Sequence, residues 1–118
     1  MTTRTLPLRN MNAYILTGGK SARMARDKAL LTLGGATFLE IIAGRLTALF
    51  DRVYTAGKGY ETAAPLAGNI EDAIPSAGPL GGIHAALRGS DKECNFFVGV
   101  DYPLLEPELV VELARFTE

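Results

Sequence analysis

Apolar positions along the chain gather into short runs separated by glycine- and proline-rich breaks. Asn12-Ala-Tyr-Ile-Leu-Thr17 is an apolar run halted by Gly18-Gly19. Its length and its glycine stop favour a buried strand over a helix. A polar, basic stretch, Lys20 to Lys28, follows. Ala29–Leu33, Gly34-Gly35 and Ala36–Phe38 then have the spacing of a small hairpin, because Gly-Gly suits a tight turn. Thr37 and Glu40 have capping-box spacing. They open a helix expected from about Phe38 to Phe50, with Phe38, Ile41, Ile42, Leu46, Leu49 and Phe50 near one face.

Arg52–Ala56 reads as a second strand, ended by Gly57 and Gly59, and Asn69-Ile-Glu71 as a weaker third extended piece. Pro75, Gly78, Pro79, Gly81 and Gly82 then crowd together. A helix from about Leu80 to Arg88 follows, with Pro79 pre-organised near its first turn. Asn95–Val100 is the clearest buried strand, and Pro107 opens a last helix running to about Phe116. Alternation of strand and helix predicts an α/β fold with a mostly parallel sheet.

With 118 residues, one domain is expected, with residues 1–10 as a flexible leader. A chain of this size buries about two-thirds of its surface on folding, enough for one core. The content of 47% hydrophobic and 21% charged residues excludes intrinsic disorder as the main state. A net charge of −1 gives no drive toward nucleic acid or an anionic membrane. No apolar run approaches the roughly 20 residues of a membrane helix, and Met1–Arg9 lacks the apolar centre of a signal peptide. Cys94 is alone, which excludes an intrachain disulfide and fits a reducing, cytoplasmic setting.

Three features follow three extended segments. Gly18-Gly19-Lys20-Ser21 follows the first, Asp72 and the Gly78–Gly82 turn the third, and Asp101 the Phe96–Val100 strand. In an open parallel sheet, loops leaving the carboxyl ends of strands share the edge where ligands bind. Glycines without a Cβ let a phosphate approach backbone N–H donors. Lys20, Arg23, Arg26 and Lys28 add cations suited to a polyphosphate. A Walker loop is excluded, since it needs glycine where Tyr14 stands. A carboxylate at Asp101, facing a phosphate loop, suits Mg²⁺, which takes one or two protein carboxylates and fills its shell with phosphate and water. Against these stand plainer readings. His84 falls on a helix surface, and Cys94 is an inert thiol with no adjacent base. Tyr54, Phe96 and Phe97 belong to the core, and Glu106, Glu108 and Glu112 form a solvated helix face.

Leu16-Thr-Gly-Gly-Lys-Ser-Ala-Arg-Met-Ala-Arg-Asp-Lys28 resembles the signature of MobA-like nucleotidyltransferases, L-A-G-G-x-S-x-R-M-G followed after a gap by D-K. That family includes the molybdenum cofactor guanylyltransferases. Asp72 with Gly78-Pro-Leu-Gly-Gly82 resembles its second block, and Val100-Asp-Tyr-Pro-Leu104 its third. Thr17, Ala25 and Val100 replace the usual alanine, glycine and cysteine. Members of the family continue past the third block, so the resemblance implies a C-terminally truncated domain. It implies a Rossmann-like three-layer fold of the nucleotide-diphospho-sugar transferase type. A sheet lacking the later strands would expose an edge that invites a homo-oligomeric partner.

The implied activity is a nucleotidyltransferase moving GMP from GTP to molybdopterin or molybdenum cofactor, with Mg²⁺. The implied nucleotide-binding residues are Leu16, Thr17, Gly18, Gly19, Lys28, Thr55, Asp72, Gly78, Gly81, Gly82 and Asp101. Arg23, Lys28 and Asp101 carry the catalytic role by the same resemblance, Asp101 as the metal ligand. Two rivals stay open at this point. One is the same fold using CTP or a sugar-phosphate acceptor; the other is a non-catalytic nucleotide-binding module.

Overall fold

The first strand, β1 (Met11–Leu16), is buried along nearly its whole length. An uninterrupted apolar run is what a strand covered on both faces requires. A computed structural model describes residues 11–17, 30–57, 66–71, 79–100 and 103–115. The expected leader, 1–10, and the tail, 116–118, lie outside them.

The expected hairpin forms from β2 (Thr32–Leu33) and β3 (Ala36–Thr37), paired antiparallel. Gly34 and Gly35 bridge it at φ +63° and +91°. Two consecutive residues in that region make the tight turn whose twist matches a strand pair, and glycine adopts it without strain. Thr37 then caps α1 (Phe38–Thr47): its hydroxyl accepts from the Glu40 N–H while the Glu40 carboxylate accepts from the Thr37 N–H. The helix buries Leu39, Ile42, Ala43 and Leu46. Its end comes at Thr47, earlier than the apolar periodicity predicts. The Leu49 and Phe50 amides both return to the Leu46 carbonyl in a turn. This turn keeps both side chains in the core while reversing the chain toward the next strand.

That strand, β4 (Val53–Ala56), is followed by β5 (Gly68–Ile70), α2 (Pro79–Gly89), β6 (Cys94–Gly99) and α3 (Pro107–Ala114). The main sheet has the order β5-β4-β1-β6, with every neighbouring pair parallel. Alternate β1 residues serve opposite layers. Met11, Ala13 and Ile15 pack with α1 and α3, joined by Val53, Val98 and Val110. Tyr14 packs with Ala86 of α2 and with Ala56, bordered by Leu16, Tyr54, Ile70 and Phe97. The result is the expected Rossmann-like three-layer α/β arrangement.

Tyr14 stacks on Tyr54 and on Phe97, with ring centroids at 5.3 and 5.1 Å, and Phe50 stacks on Phe96 at 5.6 Å. Tyr54, Phe96 and Phe97 are thus half-buried residues packed against the core, which the sequence reading expected inside it. On the α1 side, Arg45 donates through Nη1 to the Leu105 carbonyl and ties the last turn of α1 to the segment before α3.

Candidate functional site at the carboxyl edge of the sheet

Because the four strands run parallel, their carboxyl ends meet along one edge. From β1 the chain passes through α1 to β4 on one side, while β6 lies on the other side of β1. A change of direction of this kind opens a crevice between the two strands. The last peptide of β1 is held from both sides there. The Leu16 carbonyl accepts the Val100 N–H at 3.1 Å, and the Thr17 N–H donates to the Ala56 carbonyl at 2.9 Å. Thr17 is buried and its hydroxyl donates to the same Ala56 oxygen at 3.1 Å. Gly18 follows Thr17 in the chain and Asp101 follows Val100. The strand ends carrying the diglycine segment and the aspartate are thus hydrogen-bonded neighbours.

The amino end of α2 joins the same edge. Gly81 and Gly82 are buried in its first turn. A Cβ on Gly82 would lie 3.3 Å from Leu16 Cδ2 and 3.4 Å from the Ala56 oxygen. Absence of a side chain at Gly82 therefore seats the helix against β1 and β4. The first turn of α2 carries no acidic residue, and Arg88 stands in its last turn. Free N–H groups and the helix dipole make such an end favourable to an anion.

Thr55 is 2% exposed and donates to Asn69 Oδ1 at 2.6 Å. Asn69 Nδ2 in turn donates to the Gly57 carbonyl at 3.2 Å. Gly57 adopts φ +116° and its N–H donates to the Ile70 carbonyl at 2.7 Å. Asn69 thus braces the exit of β4, a part that sequence reasoning missed. The signal available was a glycine ending a strand beside a polar residue in the next one.

Leu16, Thr17, Gly81 and Gly82 converge at this edge, with Thr55 one residue before Ala56. Gly18, Gly19, Arg23, Lys28, Asp72, Gly78 and Asp101 lie outside the described residues. Among the described residues no three His, Cys, Asp or Glu side chains form a metal-binding group. The soft donors stand elsewhere: His84 is exposed on α2, and Cys94 begins β6 at the opposite end of the sheet. The carboxylate expected to hold a metal, Asp101, follows Val100 and lies outside the described residues.

The amino edge of the sheet holds Arg52. A hydrogen bond to Tyr54, and then the charges of Tyr54 and Asp91, raise its pKa further above the ordinary range. A groove of about 390 Å³ lies between Leu49 and α3, lined by Pro107, Glu108, Val111, Glu112 and Arg115. No predicted site residue lines it. Among the described residues no helix is long and apolar enough to cross a membrane.

Comparison with known proteins places this geometry in context. A protein of Flavobacterium johnsoniae named as a probable molybdenum cofactor guanylyltransferase is 35% identical over 114 residues, covering 94% of this chain and 59% of that protein. A probable enzyme of the same name from Pelotomaculum thermopropionicum is 40% identical over 96 residues, covering 80% of this chain and 47% of that protein. The chain thus spans about half the length of the curated relatives it matches. A family model described as the MobA-like NTP transferase domain matches residues 13–118. The chain, with its parallel sheet, belongs to the MobA-like NTP transferase domain family.

Proposed function

We propose that the chain carries the nucleotide-binding half of a guanylyltransferase that transfers GMP from GTP to molybdopterin or molybdenum cofactor. The observation that supports this most strongly is the Leu16–Thr17 peptide, bonded to Val100 on one side and Ala56 on the other. It joins the strand ends that precede Gly18 and Asp101, and this supports a site shared by the two segments. The names of the relatives supply the acceptor.

In this reading an acceptor phosphate oxygen attacks the α-phosphorus of GTP. The new P–O bond forms as the bond to the β-phosphate bridging oxygen breaks, and pyrophosphate leaves with that electron pair. Such chemistry needs positioning and charge neutralisation more than a protein nucleophile. The Leu16, Thr17, Gly18 and Gly19 backbone lines the nucleotide, with the N–H groups of the loop toward phosphate, and Gly81 and Gly82 let α2 sit close behind it. Arg23 and Lys28 neutralise the triphosphate and the charge growing on pyrophosphate. Asp72 faces the nucleoside, with Gly78 and Thr55 beside it, and Asp101 holds Mg²⁺. Bound Mg²⁺ supplies further charge neutralisation at the phosphates. A second copy of the chain is the proposed protein partner, because the outer edge of β6 has no strand partner among the described residues.

Equilibrium binding of GTP, CTP, UTP and ATP, each with Mg²⁺, tests the base, and pyrophosphate release with a molybdopterin acceptor tests the reaction. GTP preference with release is expected. Preference for CTP would defeat the guanylyl assignment. Tight GTP binding without release would favour a binding module.

A further inference from the structure

We infer that the Thr17 hydroxyl is a positioning group for the nucleotide site, acting through the Ala56 carbonyl rather than by touching the ligand. The inference rests on the nucleotide-binding reading above. Thr17 stands where the pattern that the chain resembles has alanine, so that pattern does not account for the hydroxyl.

Ala56 O accepts both the Thr17 N–H, at 2.9 Å, and the Thr17 hydroxyl, at 3.1 Å. A carbonyl has two lone pairs, and both are engaged. Gly82 presses on the same residue: its Cβ would lie 3.4 Å from that oxygen and 3.5 Å from the Ala56 Cβ. The exit of β1, the end of β4 and the first turn of α2 therefore meet at one backbone carbonyl. Thr17 is also the last residue with a side chain before Gly18-Gly19. Glycine as a residue type imposes little direction of its own, because it lacks a Cβ. The direction in which the chain enters Gly18-Gly19 must come from the residue before. At Thr17 the backbone bond fixes the peptide and the hydroxyl fixes the side chain on the same acceptor.

Thr17→Val keeps the shape and the backbone bond but removes the second donor, Thr17→Ala also removes the bulk, and Thr17→Ser keeps the donor. Titration of each full chain with Mg·GTP, beside a thermal melt, separates positioning from folding. Loss of one hydrogen bond predicts affinity about fivefold weaker for the valine and alanine variants. Melting midpoints fall by roughly a few degrees in both variants, the ordinary cost of one buried hydrogen bond, the folded fraction at the titration temperature stays high, and serine rescues the affinity. Valine binding as tightly as the parent would overturn the inference, as would serine weakening binding as much as valine. If the parent chain itself fails to bind Mg·GTP, the nucleotide-binding reading falls and this inference with it. If the parent binds and valine matches it, only the inference falls.

Discussion

Asp101 is one residue beyond Val100, whose N–H is bonded to Leu16 beside the diglycine segment. A carboxylate in that place is proposed to carry the metal-dependent part of the reaction. Asp101→Asn keeps the size and removes the charge. It is expected to lower Mg²⁺-dependent turnover on the order of 100-fold, the rate equivalent of about 3 kcal/mol. Initial rates across a magnesium titration check this, with circular dichroism confirming the fold. Gly18, Gly19 and Asp101 are candidates in the sequence because glycines and a charge follow apolar runs that end abruptly, and Thr17 is one by the resemblance alone; of the four, only Thr17 is among the described residues. The bond from Thr17 to Ala56 was not legible there. Its partner is 39 residues away and is a backbone carbonyl, which no residue type announces. Asn69 escaped for a similar reason: its partners, Thr55 and the Gly57 carbonyl, are brought to it only by the β4–β5 register.

Among the elements, α1 was read most fully. Its capping box forms as Thr37 and Glu40 predict. Thr37→Ala removes the cap, with an expected cost of about 1 kcal/mol, measurable by urea denaturation. Ile42 is fully buried between α1 and the sheet. Ile42→Ala is expected to cost about 2–5 kcal/mol by the same measurement, since the surrounding core closes only partly over the lost methyls. The end of the helix was less legible. Leu49 and Phe50 continue the apolar periodicity, yet both lie beyond the helix in a turn on Leu46. Burial fixes where those side chains go, and a tight turn satisfies that demand as well as a helix does. At α2 the helix expected from about Leu80 already takes in Gly81 and Gly82, the end of the Gly78–Gly82 turn, and it forms from Pro79. At Gly82 the vacant space faces Leu16 and Ala56, a close approach between elements that the sequence does not announce.

For the whole molecule, alternating strands and helices made a parallel sheet predictable, whereas the order β5-β4-β1-β6 follows from pairings that sequence periodicity does not encode. Among the described residues that order flanks β1 on both sides and puts β6 at an edge. An unpaired, uncharged edge strand favours association. Light scattering across a concentration series should therefore report a dimer at high concentration, and a monomer throughout would remove the proposed second copy. In an order of this kind a ligand site is expected at the carboxyl ends of β1 and β6, and the functional account depends on that placement. A crystal of the chain soaked with GTP and magnesium tests it most directly. Triphosphate density beside the Leu16–Thr17 and Val100 peptides, over the amino end of α2, is the expected result. Density confined to the α3 groove or to the amino edge near Arg52 would contradict it.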